Sequence, residues 1–246
     1  MRKYTFQEHF IELKNCLLKV ICFFLMTFVI SYWFREDIYG FFLKPLADLS
    51  IQGGRKIIYT GLTEAFFAYI KLTLFSAFVV TLPFIYYQFY TFITPGLHHF
   101  EKRIVINMLI FSPILFYCGS LFVFYFVMPR AWNFFLSYEN NSLALPLVME
   151  ARISEYVSLV IQLIIAFGAT FQLPVIMVIL GALGIINSDT LKQKRRIAIV
   201  IIFIVAAIFT PPDVISQVAL ALPLLLLYEV SIILCKLLEN GESKEC

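Results

Sequence analysis

Charge is scarce in this chain. Of its 246 residues, 14% are Asp, Glu, Lys or Arg and 61% are hydrophobic. A soluble domain carries about a quarter charged residues and about half apolar ones, so an ordinary water-soluble globule is excluded. Leu72–Phe92 and Ile104–Met128 contain no charged residue at all. Catalytic signatures are missing too: there is no H-E-x-x-H, no G-x-S-x-G and no phosphate-binding glycine loop. Nothing points to an enzyme, to a cofactor or to nucleotide-driven pumping by this chain alone. The three histidines, His9, His98 and His99, lack a metal-site geometry and read as solvated residues. The five cysteines, Cys16, Cys22, Cys118, Cys235 and Cys246, form no C-x-x-C pair and mostly sit in or beside apolar runs. They read as inert buried thiols, not as a disulfide framework or a metal site. No cleavable signal peptide is expected, because the first apolar run is long enough to span and no small-residue cleavage site follows it. Asn140-Asn141-Ser142 matches a glycosylation sequon, a pattern short enough to arise by chance.

What is present is a series of apolar runs of spanning length. A transmembrane helix needs about 20 mostly apolar residues. Leu17–Phe34, Leu72–Phe92, Ile104–Met128 and Tyr156–Leu183 qualify, and lipid requires them to be helical because it cannot satisfy open backbone groups. Ile197–Phe209 is apolar but short. Thr210-Pro211-Pro212-Asp213 then breaks the helix and offers Asp213 as a cap for Val214–Cys235, a run interrupted by Pro223 and Glu229. The reading is an all-α polytopic membrane protein of six transmembrane helices, spans five and six short, forming one domain over residues 1–246. Residues 35–68 and 129–155 form external cap loops, 1–16 an N-terminal amphipathic segment and 236–246 a tail.

Lys and Arg set the orientation. With the N-terminus inside, the inner segments hold Arg2, Lys3, Lys14, Lys19, Lys102, Arg103, Lys192, Lys194, Arg195, Arg196, Lys236 and Lys244. The outer segments hold only Arg35, Lys44, Arg55, Lys56, Arg130 and Arg152. Both termini are therefore expected in the cytoplasm, and the Lys192–Arg196 cluster reads as a topology anchor.

Two carboxylates stand out at that face. Phe92-Ile-Thr-Pro-Gly-Leu-His-His-Phe-Glu-Lys-Arg103 is a turn-rich charged interval between two charge-free runs, and it presents Glu101 beside Lys102 and Arg103. Thr5–Lys14 reads as an amphipathic lead-in helix with a Thr5/Glu8 capping box, and it brings Glu12 to the same surface. Two carboxylates at one interface suit two guanidinium groups through charge-assisted hydrogen bonds. The bland reading is a pair of solvated charges, Glu12 pairing with Lys14 or Lys19. At membrane depth the polar residues are Lys71, Asn107, Gln162, Gln172, Gln217 and Glu229. Such groups usually face protein or a wet cavity. Gln172 is the strongest candidate because Pro174 frees a backbone carbonyl nearby. Gln162 suits an interhelical hydrogen bond and Glu229 a pairing with Lys236.

These features resemble the TatC family, the multispanning core subunit of the twin-arginine, Sec-independent protein translocase. The resemblance rests on His9-Phe-Ile-Glu-Leu-Lys14, close to the family's H-L-x-E-L-R, and on Phe92-x-x-Pro95-Gly96-Leu97-x-x-x-Glu101-Lys-Arg. It also rests on Phe167-Gly168…Phe171-Gln172-Leu-Pro174, on Thr210-Pro-Pro-Asp213-x-x-Ser216-Gln217 and on Ala221-x-Pro223…Leu227-Tyr228-Glu229. It implies that Glu12 and Glu101 receive the twin-arginine signal of folded cargo, with Phe92, Pro95 and Leu97 shaping the site beside Lys102 and Arg103. It implies TatA- and TatB-type single-span partners docking on spans five and six, where Thr210 and Gln217 offer polar contacts near Asp213. It further implies assembly into an oligomer and transport driven by the proton gradient, without cofactor or nucleic acid. The membrane is then a bacterial inner membrane or an organellar one. The chain departs from the family pattern in two places: Lys14 replaces an arginine, and Gln172 stands where many members have glutamate. The competing readings are a secondary transporter using Gln162 and Gln172 at a midplane site, and a purely structural scaffold.

Overall fold

The computed structural model describes residues 6–50, 57–93, 99–139, 149–209 and 214–245. The first helix, α1, runs unbroken from Phe6 to Trp33, so the lead-in segment and the first span are one rod. Thr5 lies outside the described residues. After a single turn residue the chain enters α2, Arg35–Ser50, where Glu36 and Asp37 meet the positive end of the helix dipole. α3, Glu64–Ile93, returns antiparallel to α1: Phe23 stacks on Phe84 at 4.5 Å, and the Thr27 and Thr81 hydroxyls lie 2.9 Å apart.

α4, His99–Phe122, passes through a π-helical turn at Val123–Val127 into α5, Met128–Leu136. A one-turn π segment of this kind marks a local irregularity in a long helix. The fourth span is two helices. α6, Ile153–Thr170, ends at Phe171 and Gln172, and α7, Leu173–Ala182, begins with Pro174 in its first turn. The apolar run predicts a single span in which Pro174 frees a backbone carbonyl, and the break falls just before that proline, which lacks the N–H that a continuous helix needs. A short α8, Ser188–Gln193, leads into the hairpin of α9, Arg195–Phe209, and α10, Val214–Glu245.

Among the described residues, five helical stretches are long and apolar enough to cross a membrane: Phe10–Trp33, Glu64–Ile93, Ile104–Leu136, Ile153–Ala182 and Leu220–Leu237. α9 has 15 residues and falls short of that length. It measures about 22 Å by helix rise, against a hydrocarbon core of about 30 Å.

Close approach of α4 and α6 sets the centre of the bundle. A Cβ on Gly168 would stand 2.4 Å from the Phe116 ring, and one on Gly119 would stand 2.9 Å from Phe171 and 3.0 Å from the Phe167 carbonyl oxygen. Each helix thus seats an aromatic ring on the other's glycine. At the end opposite the chain termini, two connecting segments are stitched together. Ile58 donates to the Ala151 carbonyl and accepts from the Ile153 N–H, both at 3.0 Å. Glu64 Oε2 accepts the Thr60 and Gly61 N–H groups at 2.9 and 3.1 Å, and Glu64 Oε1 accepts the Ser154 hydroxyl at 2.6 Å. Lys71 donates to the Ser158 hydroxyl at 2.8 Å just inside this clasp.

Candidate functional site

The N-terminal part of α1, the end of α3 and the start of α4 lie at one end of the bundle. Continuing the antiparallel register of α1 and α3 from Phe23–Phe84 toward the termini puts Glu12 just past Ile93, the last residue of α3. α4 begins at His99, so Glu101 sits in its first turn at the same end of the bundle. Glu12 is half-buried, and its Oε2 is enclosed with no hydrogen-bond partner among the described residues. Lys14 and Lys19 are exposed, and neither pairs with it there. An enclosed, unmatched carboxylate oxygen is costly, and buried polar groups of this kind call for an explanation. Phe92, in the last turn of α3, and Lys102, in the first turn of α4, are half-buried beside this end. Pro95, Leu97, Thr210 and Asp213 lie outside the described residues, as do the side chains of Glu101 and Arg103.

Gln172 is buried, at the break between α6 and α7, and both polar atoms of its amide are hydrogen-bonded. The Ser112 hydroxyl donates to Gln172 Oε1 at 2.6 Å, and Gln172 Nε2 donates to the Ser112 carbonyl at 2.8 Å. One residue of α4 thus binds both ends of the amide. A midplane solute site would need these groups free. Gln162 and Asn107 are exposed on the outside of the bundle. The interhelical hydrogen bond expected of Gln162 is not found among the described residues. α6 packs with its neighbours through Val157, Val160, Ile164 and Phe167 instead.

In the hairpin, Gln217 Nε2 donates to the Phe203 carbonyl at 3.1 Å, tying α10 to α9. Glu229 pairs with Arg195 at 2.7 Å and not with Lys236. The reason is the fold-back of α9 onto α10, which brings the first residue of α9 beside Glu229. Ser112, Arg195 and Glu64 are the structural partners that sequence reading missed. Nothing in their immediate surroundings in the sequence marks them, because each acts across a large separation along the chain. No group of three or more His, Cys, Asp or Glu residues suited to a metal ion occurs among the described residues.

Comparison with known proteins gives consistent results. The family model described as Sec-independent protein translocase protein (TatC) matches residues 8–223. The Sec-independent protein translocase protein TatC of Rickettsia prowazekii (strain Madrid E) is 58% identical over 240 residues, covering 98% of this chain and 96% of the relative. The TatC protein of Escherichia coli (strain K12) is 35% identical over 224 residues, covering 91% of this chain and 85% of its own length. The crystal structure of the twin arginine translocase receptor TatC in DDM is similar with a TM-score of 0.75 at 35% identity. It covers 92% of this chain and 99% of that one.

Proposed function

Because the chain belongs to the TatC family of Sec-independent protein translocase proteins, we propose that its terminal end is the cytoplasmic receptor for twin-arginine signal peptides. The protein is a multi-pass membrane subunit of the twin-arginine translocase, of a kind found in bacteria, where the inner membrane fits. It is a translocase component, and no reading of it as a solute transporter is supported.

The observation that carries the receptor proposal is Glu12. Its enclosed Oε2 lacks a partner among the described residues, at the end of the bundle where α4 begins. A guanidinium offers a planar fork of donors that fits a carboxylate, and a hydrogen bond to a charged group contributes about 1.5–3 kcal/mol. Two such receivers read two adjacent arginines, whereas lysine supplies charge without the fork. The family resemblance adds Phe92, Pro95 and Leu97 to this site, and the positive charges of Lys102 and Arg103 discourage cations that lack this geometry. The excess of Lys and Arg in the segments at this end assigns it to the cytoplasm. Single-span TatA- and TatB-type subunits dock along α9 and α10, with Thr210 and Gln217 as polar contacts. Several copies assemble, and the proton gradient drives transport.

The test is export of a twin-arginine reporter in cells whose own TatC-type subunit is deleted. This chain restores export, and Glu12→Gln and Glu101→Gln each reduce it at least about tenfold at unchanged membrane abundance, the loss expected from one charged hydrogen bond. Full export by the double variant overturns the proposal.

A further inference from the structure

α3 and α6 run side by side in the same direction from the clasp. Glu64 accepts from the Ser154 hydroxyl at 2.6 Å, and Lys71 donates to the Ser158 hydroxyl at 2.8 Å, one turn further along α6. Each helix exposes a stripe beside this contact. Phe67, Lys71 and Leu74 follow one another on α3 at spacings of four and three residues, and Ser158, Gln162 and Ile165 do the same on α6. Phe67, Leu74 and Ile165 are 61%, 39% and 43% exposed, Lys71 and Gln162 are exposed, and Ser158 is half-buried. The two stripes, joined by the Lys71–Ser158 hydrogen bond, border one groove on the outside of the bundle.

The polar groups of this groove are under-matched. An ammonium has three donors, and Ser158 takes only one from Lys71. The Ser158 hydroxyl is itself donated to the Ser154 carbonyl at 2.6 Å. The carboxylates nearest the mouth, Glu64 and Glu155, both pair with Arg152, at 3.6 and 3.3 Å, so the charge of Lys71 stands unopposed among the described residues. The Gln162 amide has no hydrogen-bond partner among those residues either. An amide bordering hydrocarbon without a partner is costly.

Depth decides what meets these groups. Glu64–Ile93 and Ile153–Ala182 each extend over 30 residues, about 45 Å of helix, against a hydrocarbon core of about 30 Å. Counting the ~20 residues of that core outward from Ile93 and from Ala182 arrives at Leu74 and Leu163. Lys71 and Gln162 therefore both stand at the outer edge of the core, and the two helices give this answer independently. From the Glu64–Ser154 contact, seven residues along each helix put Lys71 level with Ile161. Its side chain thus reaches back about 4.5 Å toward the clasp to meet Ser158, the direction in which a lysine stem leans toward headgroups. Gln162 lies about 6 Å below Ser158, close to the thickness of one headgroup layer. Below it, Leu74 and Ile165 are apolar. A glycerophospholipid presents the same order over the same depth: phosphate, ester carbonyl, acyl chain.

We propose that the α3–α6 groove seats one glycerophospholipid of the external leaflet. Its phosphate takes the free donors of Lys71, an ester carbonyl accepts from the Gln162 amide, and an acyl chain lies along Leu74 and Ile165. The ring of Phe67 borders the headgroup. The lipid completes the hydrogen bonding that the two helices leave open and fastens them together below the clasp. Assigning it to the external leaflet rests on the orientation proposed above; the match of groove to lipid does not.

The test is native mass spectrometry of the delipidated protein in detergent. Phosphatidylglycerol, its diether analogue and diacylglycerol are added in turn at equal concentration. The expected result is one phosphatidylglycerol retained at least about tenfold better than diacylglycerol, the effect of a charged hydrogen bond, and about threefold better than the diether, the effect of a neutral one. Lys71→Met loses the phosphate preference and keeps the ester preference. Gln162→Leu does the reverse, so each variant reports its own folding through the preference it keeps. Lys71→Arg keeps both, and loss of the phosphate preference there overturns the role of the cation. Equal retention of all three lipids by the unaltered protein overturns the seat. An unchanged pattern in Lys71→Met overturns it too, leaving Lys71 a tie between helices. Lipid-free dimers that Gln162→Leu dissociates would show a second copy covering the groove, and also overturn it.

Discussion

Glu12 and Gln172 are both polar groups in an apolar protein, and they are held in opposite ways. Glu12 keeps an enclosed oxygen without a partner among the described residues, which suits a receiver waiting for a donor. Gln172 has each of its polar atoms matched by Ser112, which suits a structural tie between α4 and the α6–α7 break. Removing the Ser112 hydroxyl deletes one bond of two. Ser112→Ala is predicted to cost about 1 kcal/mol, near the values measured for hydrogen bonds between membrane helices. Gln172→Ala loses both bonds and leaves a void, and costs about 2–4 kcal/mol. The double variant falls short of the sum because the two residues share one interaction. Thermal unfolding in detergent checks all three, and strict additivity contradicts the tie. The residue types at these positions were legible in the sequence, since a carboxylate on an amphipathic lead-in helix and an amide two residues before a proline stand out against apolar runs. Their partners were not. Glu229 suggested a local pairing with Lys236, yet Arg195 holds it, because the partner is chosen by the fold-back of α9 and not by distance along the chain.

Among the elements, the α4–α6 crossing has the least room. Gly168 faces the Phe116 ring at distances no real Cβ occupies, and Gly119 faces both Phe171 and backbone. Gly168→Ala is predicted to destabilise by about 1–3 kcal/mol, the usual range for overpacking. Phe116→Leu combined with Gly168→Ala recovers part of the loss, because the new methyl gains the space the ring vacates. Detergent melting temperature measures this, and no recovery would mean that backbone rather than the ring sets the spacing. The clasp opposite the termini makes a separate prediction. Glu64→Gln weakens the acceptor that gathers Thr60, Gly61, Ser154 and Arg152, and added protease cuts the 57–63 and 149–152 segments faster in spheroplasts. Apolar run length gave four spans and a hairpin with a short first helix, but the second helix, also expected short, runs from Val214 to Glu245. The break at Phe171–Gln172 was legible only as a proline in the wrong place, and the π turn at Val123–Val127 carries no residue that announces it. The helix at Arg35–Ser50 falls where the sequence suggests a cap of short helices, and the mixed polarity of the stretch hides how long it runs.

At the scale of the whole molecule, one helix is too short for the bilayer that its neighbours fit. α9 offers about 22 Å where the hydrocarbon core needs about 30 Å. Inserting one apolar turn into α9 adds about 5.4 Å and is predicted to remove most of the mismatch and to abolish reporter export while leaving membrane insertion intact. Normal export by that variant contradicts a role for local thinning. The central claim, however, is that the end of the bundle gathering Glu12 and Glu101 reads a pair of arginines. The direct measurement is binding of a fluorescent twin-arginine peptide to the purified protein in nanodiscs, beside a twin-lysine control. The account predicts saturable binding that weakens at least about tenfold with the lysine peptide, and by a similar factor with Glu12→Gln or Glu101→Gln. Equal affinity for both peptides, or for all three proteins, contradicts it.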